Sequence, residues 1–85
     1  MKYFVYVLRS EADGRFYVGM SADVDKRLKE HNAGKTKSTK GYTPWILFFY
    51  EELETRIDAR AREKYLKSGV GKEFIKRKWT GSSVG

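Results

Sequence analysis

Tyr3-Phe-Val-Tyr-Val-Leu8 is an unbroken run of aromatic, β-branched and aliphatic residues, the composition of a strand. Both of its faces are apolar, so it is expected to be central or covered on both sides. Glu11-Ala-Asp-Gly14 carries the Asp-Gly turn signal, and Phe16 to Met20 supplies a second strand that completes a hairpin. Ser21 is placed to cap a helix with Asp23 and Asp25 in its first turn. That helix is expected to reach about Asn32, where Gly34 stops it. Lys35 to Thr43 (KTKSTKGYT) is polar, basic and loop-like, and Pro44 follows it. Trp45 to Tyr50 reads as a third strand. Glu51 to Lys67 reads as a helix whose apolar stripe is Leu53, Ile57, Ala61 and Tyr65 at every fourth position. Ser68 to Gly71 breaks it, Lys72 to Trp79 forms a short last helix, and residues 80–85 form a flexible tail. The order β-β-α-β-α-α predicts an α+β fold, a small three-stranded antiparallel sheet flanked by helices.

On a helical wheel of about 100° per residue, Val24 and Leu28 define the buried stripe of the first helix. His31 falls beside that stripe and Arg27 at one edge, one turn apart on the same face. Lys26, Lys29 and Glu30 point away. In the hairpin, a register centred on the turn places Tyr6, Tyr17 and Gly19 on one face, with Gly19 near Tyr6. A glycine inside a strand leaves room for a close neighbour or a ligand. Glu63 lies off the apolar stripe of the second helix, on the side that carries Ala59 and Leu66. Each of these residues has an ordinary role when taken alone: a boundary arginine, a hydrogen-bonded core histidine, a cross-strand aromatic pair, a solvated carboxylate. Their convergence is what points to chemistry.

The chain has 85 residues, enough for one domain, placed at residues 1–79. A chain of this size buries only roughly 60–65% of its unfolded surface. Its 15% aromatic content helps to fill a small core. The absence of cysteine excludes disulfides, thiol catalysis and cysteine-held zinc, and it suits a reducing cytoplasm. The apolar run at Tyr3–Leu8 is too short for a signal-peptide core, and nothing approaches the ~20 residues of a membrane span. Eighteen Lys and Arg against 11 Asp and Glu give a net charge of +7. That excess suggests a polyanionic partner, with nucleic acid as the first candidate and no membrane.

Phe4-Val5-Tyr6, followed by Tyr17-Val18-Gly19, resembles the two signature elements of the GIY-YIG nuclease superfamily. Arg27 and His31 on the following helix, and the Arg62-Glu63 pair on the second long helix, resemble the rest of that pattern. The resemblance runs from about Lys2 to Trp79. It is closest to small single-domain members related to the catalytic domain of the bacterial excision-repair endonuclease. Phe4 and Val5 stand where the family carries glycine and isoleucine, Val18 replaces an isoleucine, and Ser21 stands where threonine is frequent. The late asparagine that some members carry is absent.

The resemblance implies a metal-dependent endonuclease that hydrolyses phosphodiester bonds in DNA, including branched or damaged DNA. Glu63 would be the ligand of a single divalent ion, Mg²⁺ or Mn²⁺. A lone carboxylate suits an ion that keeps several waters and shares substrate oxygens. Arg27 would clamp the phosphate with its planar fork. Tyr6 or Tyr17 would be the base, with His31 accepting the proton, assisting the phenol or orienting it. Gly19 would keep the pocket open. Lys26, Lys35, Lys37 and Lys40 would hold the nucleic-acid backbone without reading sequence. DNA is favoured over RNA. Substrate choice would come from the basic loop, from homo-oligomerisation or from a protein partner. Two other readings are a nucleic-acid-binding module of the same fold with weak or lost hydrolysis, and a protein-interaction domain whose charge is incidental.

Overall fold

The computed structural model describes the backbone of residues 2–84 and the side chains of residues 2–79. β1 (Tyr3–Ser10) and β2 (Phe16–Ser21) form the hairpin. α1 (Val24–Asn32), β3 (Trp45–Leu53), α2 (Arg56–Lys67) and α3 (Gly69–Val84) follow in that order. The sheet order is β2-β1-β3 with both pairings antiparallel. β1 is therefore central, as its two apolar faces require.

Alternation along the strands divides the interior into two halves. Tyr6 and Leu8 meet Trp45, with Tyr17, Val24, Leu28, Tyr42 and Leu47 packed around them, so α1 covers this face. Val5 and Val7 point the other way and meet Val18, Ala59, Leu66 and Ile75, so α2 and α3 cover the opposite face. A bulge in β3 opposite Val7 and Leu8 leaves Phe48 as an extra residue between the Leu47 and Phe49 pairings. Both Phe48 and Phe49 then pack on the α2–α3 side.

The helix boundaries differ from the expected ones for local reasons. Asp23, not Ser21, caps α1, accepting from the Lys26 amide at 3.1 Å. Ser21 stays in β2, paired with Phe4, and its hydroxyl accepts from the Asp23 amide at 3.0 Å. Both residue types cap well, and the ladder decides between them. β3 keeps pairing with β1 as far as Leu53 opposite Tyr3, so α2 starts at Arg56 and not at Glu51. Thr55 caps it, accepting from the Asp58 amide at 3.1 Å.

The buried face of α2 is also not the expected stripe. Leu53 belongs to β3, Ile57 is 81% exposed and Tyr65 is 40% exposed, while Ala59, Glu63 and Leu66 are buried. Arg62 explains the rotation. Its Nε and Nη2 donate to Glu51 Oε1 and Oε2 of β3 at 2.7 and 3.0 Å. Its guanidinium also lies 4.9 Å from the Tyr65 ring centroid and 5.4 Å from that of Phe74. This two-pronged anchor fixes which side of α2 meets the sheet.

α3 begins directly after Ser68, whose hydroxyl donates to the Tyr65 carbonyl at 2.6 Å and accepts from the Gly71 amide at 3.2 Å. Gly71 sits against the Tyr65 carbonyl and the Leu66 backbone, where any Cβ would collide. The helix continues past Trp79 to Val84. Gly85 and the side chains of residues 80–84 lie outside the described residues, and with them the expectation of a flexible tail. No helix is long and apolar enough to cross a membrane among the described residues.

Candidate active site

The hairpin register brings the first pieces together. Tyr6 pairs with Gly19 and Leu8 with Tyr17. A Cβ at residue 19 would lie 2.5 Å from the Tyr6 hydroxyl oxygen and 3.2 Å from Tyr17 Cε2. The first is closer than real Cβ atoms come and the second is tighter than most, so only glycine leaves the Tyr6 phenol its place. Tyr6 is 1% exposed and Tyr17 is half-buried.

α1 delivers His31 onto this pair. The imidazole is fully buried. Its Nε2 lies 3.1 Å from the Tyr6 hydroxyl and its Nδ1 lies 2.8 Å from the Thr39 hydroxyl. Tyr17 closes a third side, with its ring edge-on to the imidazole at a centroid distance of 4.8 Å. Arg27, one turn earlier, is half-buried and reaches the Tyr6 phenol. Its Nη1 donates to Glu30 Oε1 at 2.6 Å. Glu30 therefore folds onto Arg27, whereas the helical wheel places it pointing away.

The electrostatics follow from this packing. Burial pushes the Tyr6 phenol up from its ordinary value, and Arg27 beside it opposes the shift. Burial, reinforced by the Arg27 charge, pushes the His31 imidazole below its ordinary value. His31 is thus a neutral group at pH 7, able to accept a proton through one nitrogen. Contact with the Tyr6 phenol, and then with Glu30, raises Arg27 further and keeps it a cation.

Glu63 comes from the other side of the sheet. It is 8% exposed. Its Oε1 lies 3.7 Å from Arg60 Nη1 and its Oε2 lies 3.2 Å from Lys67 Nζ. Its charge is felt at the Tyr6 phenol. Tyr6 is therefore the meeting point of the constellation, bonded to His31 and within electrostatic reach of both Arg27 and Glu63. Among the described residues no group of three His, Asp or Glu side chains converges as a metal cage. A cation at Glu63 would have that one carboxylate from the protein. This donor set fits a hard ion that keeps most of its waters, and it does not fit a caged one.

Lys26, Lys35, Lys37 and Lys40 are all exposed. Lys26 and Lys35 line one shallow groove on α1 with Lys29, Glu30 and Ala33. Lys37 and Lys40 flank Thr39, so the basic loop is fastened to His31 by the residue between them. Three residues that hold this loop escape sequence reasoning. Thr39 bonds His31. Trp45 donates from Nε1 to the Thr39 carbonyl at 2.9 Å. Asn32 closes the loop base, donating to the Trp45 carbonyl at 3.0 Å and accepting from its amide at 2.6 Å. Thr39 is indistinguishable in sequence from Thr36, Ser38 and Thr43 around it.

The GIY-YIG catalytic domain matches residues 2–78. A UPF0213 protein of Haloquadratum walsbyi is 40% identical over 67 residues, 78% of this chain and 74% of the relative. One of Halobacterium salinarum is 41% identical over 64 residues, 74% of this chain and 82% of the relative. The solution NMR structure of a UPF0213 protein from Bacillus halodurans superposes with a TM-score of 0.55 at 35% identity, covering 88% of this chain and 82% of that one. With both signature tyrosines meeting at Gly19 and nearly the whole chain matched, the protein belongs to the GIY-YIG catalytic-domain family.

Proposed function

We propose that the protein is a metal-dependent endonuclease that hydrolyses phosphodiester bonds in DNA, with branched or damaged DNA as its substrate class. The observation that carries this reading is the Tyr6–His31 hydrogen bond, 3.1 Å between two buried side chains beside the Arg27 guanidinium. Family membership supplies the nuclease class, and the net charge of +7 suits a polyanionic substrate.

In this reading a water at the Tyr6 oxygen gives up its proton there while the phenol's own proton passes to His31 Nε2. The neutral imidazole can accept it, whereas an isolated phenol with a raised pKa is a weak base at pH 7. Tyr17 holds the imidazole plane from the side. Arg27 is tied at one nitrogen to Glu30, and its remaining donors meet the charge that develops on the phosphate, a contribution of about 10²–10³ in rate. Glu63 is the residue that would hold Mg²⁺ or Mn²⁺. That ion supplies Lewis acidity toward the leaving oxygen when bound. The cations now at Glu63 do not prevent this. Arg60 and Lys67 are 68% and 54% exposed, and pairs with such exposed partners hold by only about 1 kcal/mol or less. Lys26, Lys35, Lys37 and Lys40 hold the backbone.

The test is a cleavage panel of labelled duplex, nicked, flapped and branched DNA with Mg²⁺ or Mn²⁺, run on the wild type and on Glu63→Ala. Metal-dependent nicking is expected for the wild type. Glu63→Ala is expected to lose at least about 10³-fold in rate with DNA affinity nearly unchanged. Absence of wild-type cleavage on every substrate would overturn the reading and leave a nucleic-acid-binding module of the same fold.

A further inference from the structure

We propose that Thr39 is a positioning residue of this site: its hydroxyl fixes the hydrogen of His31 on Nδ1 and so keeps Nε2 open toward Tyr6. The catalytic consequence rests on the nuclease reading above. The placement of the hydrogen rests on geometry alone.

A neutral imidazole carries one N–H and one lone pair. His31 has a hydroxyl at each nitrogen, Tyr6 at 3.1 Å from Nε2 and Thr39 at 2.8 Å from Nδ1, and both hydroxyls are almost fully buried. No solvent is available to choose between the two proton arrangements, so the partners choose. If Nδ1 carries the hydrogen, it donates to Thr39 Oγ1, and the Thr39 hydrogen goes on to the Thr36 carbonyl at 3.3 Å. Nε2 then accepts from the Tyr6 hydroxyl, and the chain Tyr6, His31, Thr39, Thr36 runs in one direction. When Nε2 takes the Tyr6 proton, the Nδ1–H bond to Thr39 persists unchanged in the imidazolium. The Thr36 carbonyl also receives the amides of Thr39 and Lys40, at 3.1 and 3.0 Å, so the hydroxyl bond is its third and longest. In the competing arrangement Thr39 donates to Nδ1, leaving an Nε2–H that cannot accept from Tyr6.

A base oriented by a third group is the general logic of relayed proton transfer. Here the third group is a neutral hydroxyl and not a carboxylate. It therefore orients the ring without adding charge, which fits an imidazole kept neutral by burial. Thr39 also sits in the basic loop between Lys37 and Lys40, with its carbonyl held by Trp45 Nε1 at 2.9 Å. Seating of a backbone on that loop thus bears on the residue that holds the imidazole.

His31 is the only histidine in the chain, so its ring nitrogens give unambiguous signals in long-range ¹H–¹⁵N correlation spectra. The wild-type protein at pH 7.5 is expected to show protonated Nδ1 and bare Nε2. Thr39→Val keeps the shape and removes the acceptor, and it is expected to shift the ring toward Nε2–H. Thr39→Ser is expected to restore the wild-type pattern. A wild-type ring with its hydrogen on Nε2, or a Thr39→Val ring identical to wild type in a folded protein, would overturn the proposal. In the cleavage assay Thr39→Val is expected to lower kcat about 10–100-fold with KM within about twofold, and Thr39→Ser to recover most of it. An Nδ1–H ring that depends on Thr39 in a protein that cleaves nothing would sink the nuclease reading and leave the placement of the hydrogen standing.

Discussion

The two faces of the sheet are made from alternate residues of the same three strands, yet they bury different things. Toward α2 and α3 the buried set is Val5, Val7, Val18, Ala59, Leu66 and Ile75, joined at its edge by one carboxylate, Glu63 of α2. Toward α1 the buried set includes Tyr6, His31 and Thr39 alongside Leu8 and Trp45. Among the described residues no buried side-chain nitrogen or oxygen lacks a partner. The first face holds the fold by area removed from water, a non-directional effect that tolerates small shifts. The second holds hydroxyls and an imidazole in one geometry, because each buried polar group left unpaired would cost about 1–3 kcal/mol. The larger apolar core and the buried hydrogen-bond network thus sit on opposite sides of one central strand, with Glu63 the buried polar group on the apolar side.

The sharpest way to break this comparison is to cut each face once. Leu66→Ala is expected to destabilise the fold by about 2–5 kcal/mol in a urea titration, through lost burial and a residual cavity. Arg27→Ala, at the rim of the other face, is expected to lose about 10²–10³ in cleavage rate with a stability change under about 1 kcal/mol. Fold loss large enough to account for the lost rate of Arg27→Ala would erase the distinction. Gly19→Ala tests the strand between the faces. The added methyl must displace the Tyr6 phenol, so about 1–3 kcal/mol of destabilisation is expected. It should be accompanied by a displaced His31 signal, since the imidazole follows Tyr6.

The smallest effect is a pH dependence. His31 titrates below its ordinary value in the folded protein, so below about pH 6.5 the unfolded chain binds a proton that the native state refuses. Stability should therefore fall as pH drops from about 6.5 toward the lowered native value. The slope is at most about 1.4 kcal/mol per pH unit, and the effect levels off below that value. His31 faces Tyr6, Thr39, Arg27, Glu30 and Tyr17, and none of these supplies a buried anion to reverse the sign. Thermal melts of wild type and His31→Gln across pH 5–8 isolate the component. A wild-type difference that grows in the opposite direction would contradict the burial of a neutral ring.

The part of this structure legible in the sequence is the part set by local rules. The Asp13-Gly14 turn and the alternation on either side of it fix the Tyr6–Gly19 register, because a slip of one residue would turn every side chain to the wrong face. Arg27 and His31 share a face because helical periodicity places them there. The rotation of α2 was not legible. Ile57 and Tyr65 are more apolar than Ala59 and Glu63, and a count of apolar positions chooses the wrong side. What turns the helix is the Arg62–Glu51 contact, a pairing between separate elements. The end of β3 was missed for a similar reason, since Glu51 and Glu52 look like a helix start and are held in a strand by pairing with Val5 and Phe4. Thr39 was invisible because its importance comes from reaching across a loop to the imidazole.

The Asn32–Trp45 double hydrogen bond makes the chain leave α1 and enter β3 at a single knot. The segment from Ala33 to Pro44 is consequently a closed lobe whose two ends are already fixed in space. Closure itself depends only weakly on length, about 0.6 kcal/mol for each doubling of a flexible loop. The cost of lengthening the lobe would thus come from the bonds that tie Thr39 to His31 and Trp45, and Tyr42 to Ser10, and not from closing the chain.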